Sequence, residues 1–130
     1  MSYARQALAY REREIQSATP ARLVVLLFEH AHANLLRARH AVQTGNIELR
    51  AESVANAREA IVELLSALDT ERGGEIARNL KSLYVFILSE LGNVVRRRDG
   101  GQLEQIIRMV SELRGAFATI ATDAARIPAA

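Results

Sequence analysis

The sequence predicts an all-α protein, an antiparallel up-down four-helix bundle with a short N-terminal cap segment. Three observations carry this. Apolar residues recur three and four positions apart along four stretches, each roughly 22–26 residues long. The two prolines stand at positions 20 and 128, so no proline interrupts a helix between them. The breaks fall on glycine-bearing turns: Gly45-Asn46, residues 69–74, and Asp99-Gly100-Gly101. No stretch alternates apolar and polar residues with β-branched enrichment, so no strand competes.

Residues 1–16 read as an arm. Tyr3, Ala7 and Tyr10 are spaced to share one helical face, and Arg11-Glu12-Arg13-Glu14 is wholly charged. A helix this short is marginal alone, so the arm needs something to dock on. Thr19-Pro20 then starts the first long helix. The Thr19 hydroxyl can accept an N–H of the first turn, and Pro20 suits the first helical position. Proline also keeps Thr19 out of the α region, which separates arm from bundle and makes this pair a candidate hinge.

The bundle is expected over residues 17–126 and a frayed tail over 127–130. The first helix runs from Pro20 to about Thr44, with Leu23, Leu26, Leu27, Ala31, Leu35, Ala38 and Val42 in its stripe. Val24, Val25 and Phe28 widen that face. The second runs from Ile47 to Leu68. Its stripe is Ile47, Val54, Ala57, Ile61, Leu64, Leu65 and Leu68, with Arg50, Glu52, Arg58, Glu59 and Glu63 opposite. The third runs from Glu75 to about Arg98 through Ile76, Leu80, Leu83, Tyr84, Ile87, Leu91, Val94 and Val95. Val85, Phe86 and Leu88 flank that stripe. A helix apolar over more than one face is central or has a partner on its second side. The fourth runs from Gln102 to about Ala125 through Leu103, Ile106, Ile107, Val110, Leu113, Phe117 and Ile120.

A chain of 130 residues suits one domain with a real core. Aromatics make up only 5% and tryptophan is absent, so Leu, Ile, Val and Ala must build that core. The absence of cysteine excludes disulfides and thiolate chemistry. No apolar run approaches a membrane span and no secretory leader is visible, so a cytoplasmic protein without membrane insertion is expected. Formal net charge is +2, and Lys81 is the only lysine.

Motifs for chemistry are thin. Glu29-x-x-His32 has the spacing of one half of a di-iron site, but no second copy exists, and His30 and His32 fall on different faces. No metal, cofactor or catalytic residue is therefore expected. No nucleophile elbow occurs, and the Gly73-Gly74 and Gly100-Gly101 pairs match no phosphate-binding loop. His40, beside Arg37 and Arg39, is the one candidate for a histidine-phosphotransfer module, which is the alternative function. Arg96-Arg97-Arg98 closes the third helix, where cations complement the helix dipole. Without a wider basic face and stacking aromatics, no nucleic-acid partner is expected. The features left over are the arm and the surplus apolar surface of the third helix. Bundles of this kind bind amphipathic segments in grooves between their helices.

Three stretches together resemble the FliS family of flagellin-specific export chaperones. The first is Ala9-Tyr10-Arg11 with Glu14-Ile15, Ser17-Ala18-Thr19-Pro20 and Leu23-Val24-x-Leu26-Leu27-Phe28. The second is Leu64-x-x-Ala67-Leu68-Asp69, then Gly73-Gly74-Glu75-Ile76-Ala77-x-Asn79-Leu80-x-x-Leu83-Tyr84. The third is Leu113-Arg114-x-Ala116-Phe117. Ala7, Phe28 and Phe117 depart from the family's common tyrosine, tyrosine and tryptophan. The resemblance implies a non-enzymatic chaperone for bacterial flagellum assembly and protein secretion. It would bind the disordered C-terminal segment of flagellin, prevent premature polymerisation, and support delivery to the type III export apparatus. The export gate and other flagellar regulators are further partners it suggests, with the chaperone a monomer or a homodimer. In this family the client wraps the bundle and the arm moves aside. Carried onto this chain, the cap is Tyr10 and Ile15, the hinge Thr19 and Pro20, and the client groove Leu68, Ile76, Leu80, Leu83, Tyr84 and Ile87.

Overall fold

The computed structural model describes residues 19–97 and 100–126. Four helices account for nearly all of them: α1 (Pro20–Thr44), α2 (Ile47–Ser66), α3 (Gly74–Arg97) and α4 (Gly100–Arg126). No strand occurs among the described residues. The arm over 1–16, with Tyr10 and Ile15, and the tail over 127–130 lie outside them.

Local chemistry fixes each boundary. Thr19 is extended at φ −64° and ψ 160°, and its Oγ1 accepts the Arg22 amide at 3.2 Å, with Pro20 opening the helix. Gly45 ends α1 in the left-handed region at φ 69°. Its amide and that of Asn46 donate back to Val42 and Ala41 carbonyls at 3.4 and 2.9 Å. Asn46 then caps α2, its Oδ1 accepting the Leu49 amide at 3.0 Å. One two-residue turn therefore closes one helix and opens the next.

α2 stops at Ser66, short of the Leu68 that periodicity indicates. Asp69 takes over the backbone there. Its Oδ1 accepts the Glu71 and Arg72 amides at 3.2 and 3.1 Å, and its carbonyl accepts the Gly73 amide at 2.8 Å. Gly74 enters α3 at φ 58°. At the next connection α4 begins at Gly100, so Gly100 and Gly101 belong to its first turn rather than to the link.

Short connections make the helices antiparallel neighbours in cyclic order. α1 packs most closely on α2, then on α4, whereas α3 contacts α2 lightly and α4 more lightly still. The α1–α2 seam is lined by small side chains: Ala31, Ala38, Ala41, Ala57 and Ala60 are all buried. Asn34 lies in the seam and is buried. Its Oδ1 accepts from Asn56 Nδ2 at 3.4 Å, and its Nδ2 donates to the His30 carbonyl at 3.0 Å. The bulky core sits inside, with Leu35, Ile61, Ile87, Leu91, Leu103 and Ile106 fully covered. Phe28 is the core's aromatic hub, 6.1 Å from the Tyr84 ring centroid and 5.4 Å from that of Phe117.

The first turn of α2 reverses the sequence expectation. Ile47, placed in the stripe, is 54% exposed, whereas Arg50, placed on the polar face, is 7% exposed. Steps of four and three from Arg50 reach Val54, Ala57, Ile61 and Leu64, so Arg50 is in phase with the core; Ile47 is on the same face but, as the first residue of α2, stays exposed. Ile76 and Ile120 also lie exposed, each toward a helix end.

His32 lies between α1 and α4. Its pKa is depressed first by burial and then by the charges of Arg114 on α4 and Arg39 on α1. The unfolded chain therefore binds a proton at His32 more readily than the folded one. Stability from this group is complete above the ordinary histidine pKa and declines as pH falls through it. Denaturant titrations between about pH 7.5 and pH 5 should show that loss, and His32→Gln should flatten it. A second expectation concerns the α2–α3 turn. A Cβ on Gly73 would stand 2.5 Å from Ala77 Cβ and 2.9 Å from the Asp69 carbonyl oxygen. Gly73→Ala should cost about 1–3 kcal/mol in chemical denaturation.

Candidate protein-binding groove

The site is built on α3, whose line of Tyr84, Ile87, Leu91 and Val94 is buried in the core. Two further apolar rows flank that line. Val85, Leu88 and Val95 turn toward α2; Leu83 and Phe86 turn toward the α4 side. α2 cannot cover the first row, because the side chains it offers there are Ala51 and Ala55. A groove of about 690 Å³ remains between the two helices, with Val54 and Leu91 below and Gly92 in its α3 wall. Val85 is 49% exposed along it, and Val62, Phe86 and Val95 are also exposed large apolar residues of α2 and α3. Such a run of apolar surface is the ordinary mark of an interaction site.

Two arginines frame the groove. Arg58 reaches across from α2, its Nη1 donating to the Leu88 carbonyl at 3.4 Å. Arg96 closes the other end, its Nη2 donating to Asn93 Oδ1 at 2.6 Å. Among the described residues no carboxylate lines the groove. These shapes and charges suit an amphipathic segment.

The residues expected to form a client groove separate into two sets. Tyr84 and Ile87 are 1% and 0% exposed and belong to the core. Burial pushes the Tyr84 phenol up to about 12, so it stays neutral. Leu68 and Leu80 are partly buried against the core, while Leu83 and Ile76 are exposed. These four cluster where α2 ends and α3 begins, the end of the bundle at which the chain enters α1. There Leu23, Leu26, Leu113 and Phe117 are also only partly covered. Thr19 and Pro20 stand at that same end. Ala51 and Ala55 of α2 and Val95 of α3 also line the groove and are not among the residues expected there. Their signal was the small-residue spacing of α2 opposite the second apolar row of α3.

Elsewhere the polar candidates have local roles. Glu29 pairs with Arg22 at 3.8 Å, and Arg39 with Glu104 at 3.4 Å. His40 is exposed on α1. Among the described residues no three His, Asp or Glu side chains gather as metal ligands would, and no helix is long and apolar enough to cross a membrane.

Comparison with known proteins gives one consistent result. The profile of a family described as flagellar protein FliS matches residues 1–124. A flagellar secretion chaperone FliS of Salmonella typhimurium is 33% identical over 114 residues, covering 87% of this chain and 84% of its own. A protein of the same description from Vibrio cholerae is 29% identical over 119 residues, covering 92% and 88%. A flagellar secretion chaperone FliSB of Pseudomonas aeruginosa is 30% identical over 106 residues, covering 82% and 84%.

Core and groove positions two residues apart on α3 should separate cleanly in a stability measurement. Ile87→Ala should cost about 2–5 kcal/mol, whereas Val85→Ser should stay within about 0.5 kcal/mol of the parent in urea unfolding.

Proposed function

The chain belongs to the FliS family, and from that premise we propose that it is a chaperone for flagellin. It binds the disordered C-terminal segment of flagellin, keeps it from polymerising early in the cytoplasm, and presents it to the export apparatus. The observation that supports this reading is the uncovered apolar surface of α3, in the groove with α2 and at the bundle end near Leu68, Leu80 and Leu83. A client helix laid there buries the apolar rows that α2 and α4 leave open.

The energetics suit a carrier that must release its load. A disordered client is ordered as it binds, and that ordering costs about 2–5 kcal/mol or more of the contact energy. A large wrapped surface then yields moderate affinity. Binding rather than bond chemistry is what the bundle contributes.

The arm over residues 1–16 completes the reading. It enters the bundle at Thr19, beside the thinly covered leucines of that end. Tyr10 and Ile15 would cover those leucines in the free protein, swinging on the Thr19-Pro20 hinge when the client arrives.

A peptide spanning the C-terminal segment of the cognate flagellin should bind in titration calorimetry and gain helical circular dichroism. Val85→Ser should weaken it about tenfold without loss of thermal stability, as one buried apolar contact in a groove is worth roughly 1–2 kcal/mol. No binding at micromolar concentration would overturn the proposal. Removal of residues 1–16 should leave the bundle folded and client binding undiminished; an unfolded product would make the arm part of the core.

A further inference from the structure

Arg50 stands in the core phase of α2, and nothing in the chaperone reading employs it. It is 7% exposed, and its Nε has no hydrogen-bond partner among the described residues. None of the ion pairs there includes it. A buried guanidinium without a counter-charge is unfavourable, and removal of its stem from water does not repay that.

The side chain lines a cavity of about 250 Å³ beneath the α1–α2 turn, with Ala41, Val42, Gly45, Asn46 and Ile47. The cavity favours negative charge for three reasons. Arg50 supplies a full positive charge and a fork of donors. The 20-residue helix α2 starts on its wall and presents the positive end of its dipole. Asn46 accepts the amides of Leu49 and Arg50, while those of Ile47 and Glu48 have no acceptor among the described residues. Among the described residues no carboxylate lines the cavity. Gln102 Oε1, the unpaired acceptor in α4, does not line it either.

We propose that this cavity binds one small oxyanion, a carboxylate or a phosphate, held by Arg50 at the N-terminus of α2. A guanidinium accepts two oxygens of such a group through parallel N–H donors. The remaining walls are apolar except for Asn46, and the volume admits the anion together with a few waters. This site is independent of the client reading and stands or falls separately.

The test uses the full chain, labelled with nitrogen-15. Sodium phosphate and sodium acetate are titrated at fixed pH and ionic strength, with sodium chloride as the control. The readouts are the Arg50 Nε–H signal, the amides of residues 45–48, and the thermal midpoint. Saturable shifts confined to these groups are expected. A response to phosphate alone assigns the tetrahedral ion, and a response to acetate, alone or with phosphate, assigns a carboxylate-accepting site. Arg50→Met should abolish the response. Arg50→Lys, which keeps the charge but not the fork, should weaken it about tenfold or more. Shifts no larger than those in chloride would mean a water-filled cavity and overturn the proposal. So would a response that never saturates, or one that survives in Arg50→Met. Arg50→Lys keeps the test decisive if Arg50→Met does not fold.

Discussion

The close seam between α1 and α2 is the constraint from which the rest of the bundle follows. Alanines on both sides, at positions 31, 38, 41, 57 and 60, let the two backbones approach. The price of that closeness is that α2 has little side-chain bulk to spare. Its α3-facing row is Ala51 and Ala55. α3, by contrast, carries valine, leucine and phenylalanine on both flanks of its buried line. A thin helix therefore stands beside an over-apolar one, and the groove is the space between them. Shape mismatch within the fold creates the groove; no loop or insertion is required.

The same asymmetry distributes rigidity. α1 is held by the alanine seam, by the Asn34–Asn56 bond and by the Phe28 ring cluster. α3 is held on one face only, by Tyr84, Ile87, Leu91 and Val94. A segment docked in the α2–α3 groove would meet exposed side chains of both helices and leave the buried contacts of α1 with α2 and α4 in place, so folding and docking would draw on different surfaces.

Much of this was legible in the sequence, because helix caps and hydrophobic period act locally. Thr19-Pro20 and Gly45-Asn46 marked their boundaries correctly, since each satisfies backbone groups within three or four residues. The second apolar face of α3 was also visible as Val85, Phe86 and Leu88. What the sequence did not disclose depends on neighbours. Tyr84 and Ile87 read as groove residues, yet both are buried in the core, Tyr84 against Phe28 of α1, and that burial depends on the neighbouring helices. The end of α2 was misplaced because Asp69 captures three amides and ends the helix at Ser66 while Leu68 still looks periodic. Family resemblance carried the function further than periodicity did, and the family match over residues 1–124 agrees with it.

Arg50 shows why composition misled at one position. A charged residue near a helix start is ordinarily solvated, and Ile47 beside a cap is ordinarily buried. Position along the helix decides otherwise: Arg50 is in phase with Val54, Ala57 and Ile61 and lies far enough in to be covered, whereas Ile47, on the same face, is the first residue of α2 and stays exposed. The cap fixes that phase, because Asn46 determines where α2 starts. Moving the start by one residue would turn α2 by about 100° and carry both the alanine seam and the groove wall away from their partners. The turn that buries Arg50 is thus the same turn that aligns the seam. A buried charge is tolerated at this point because any register that exposed it would dismantle the α1–α2 interface.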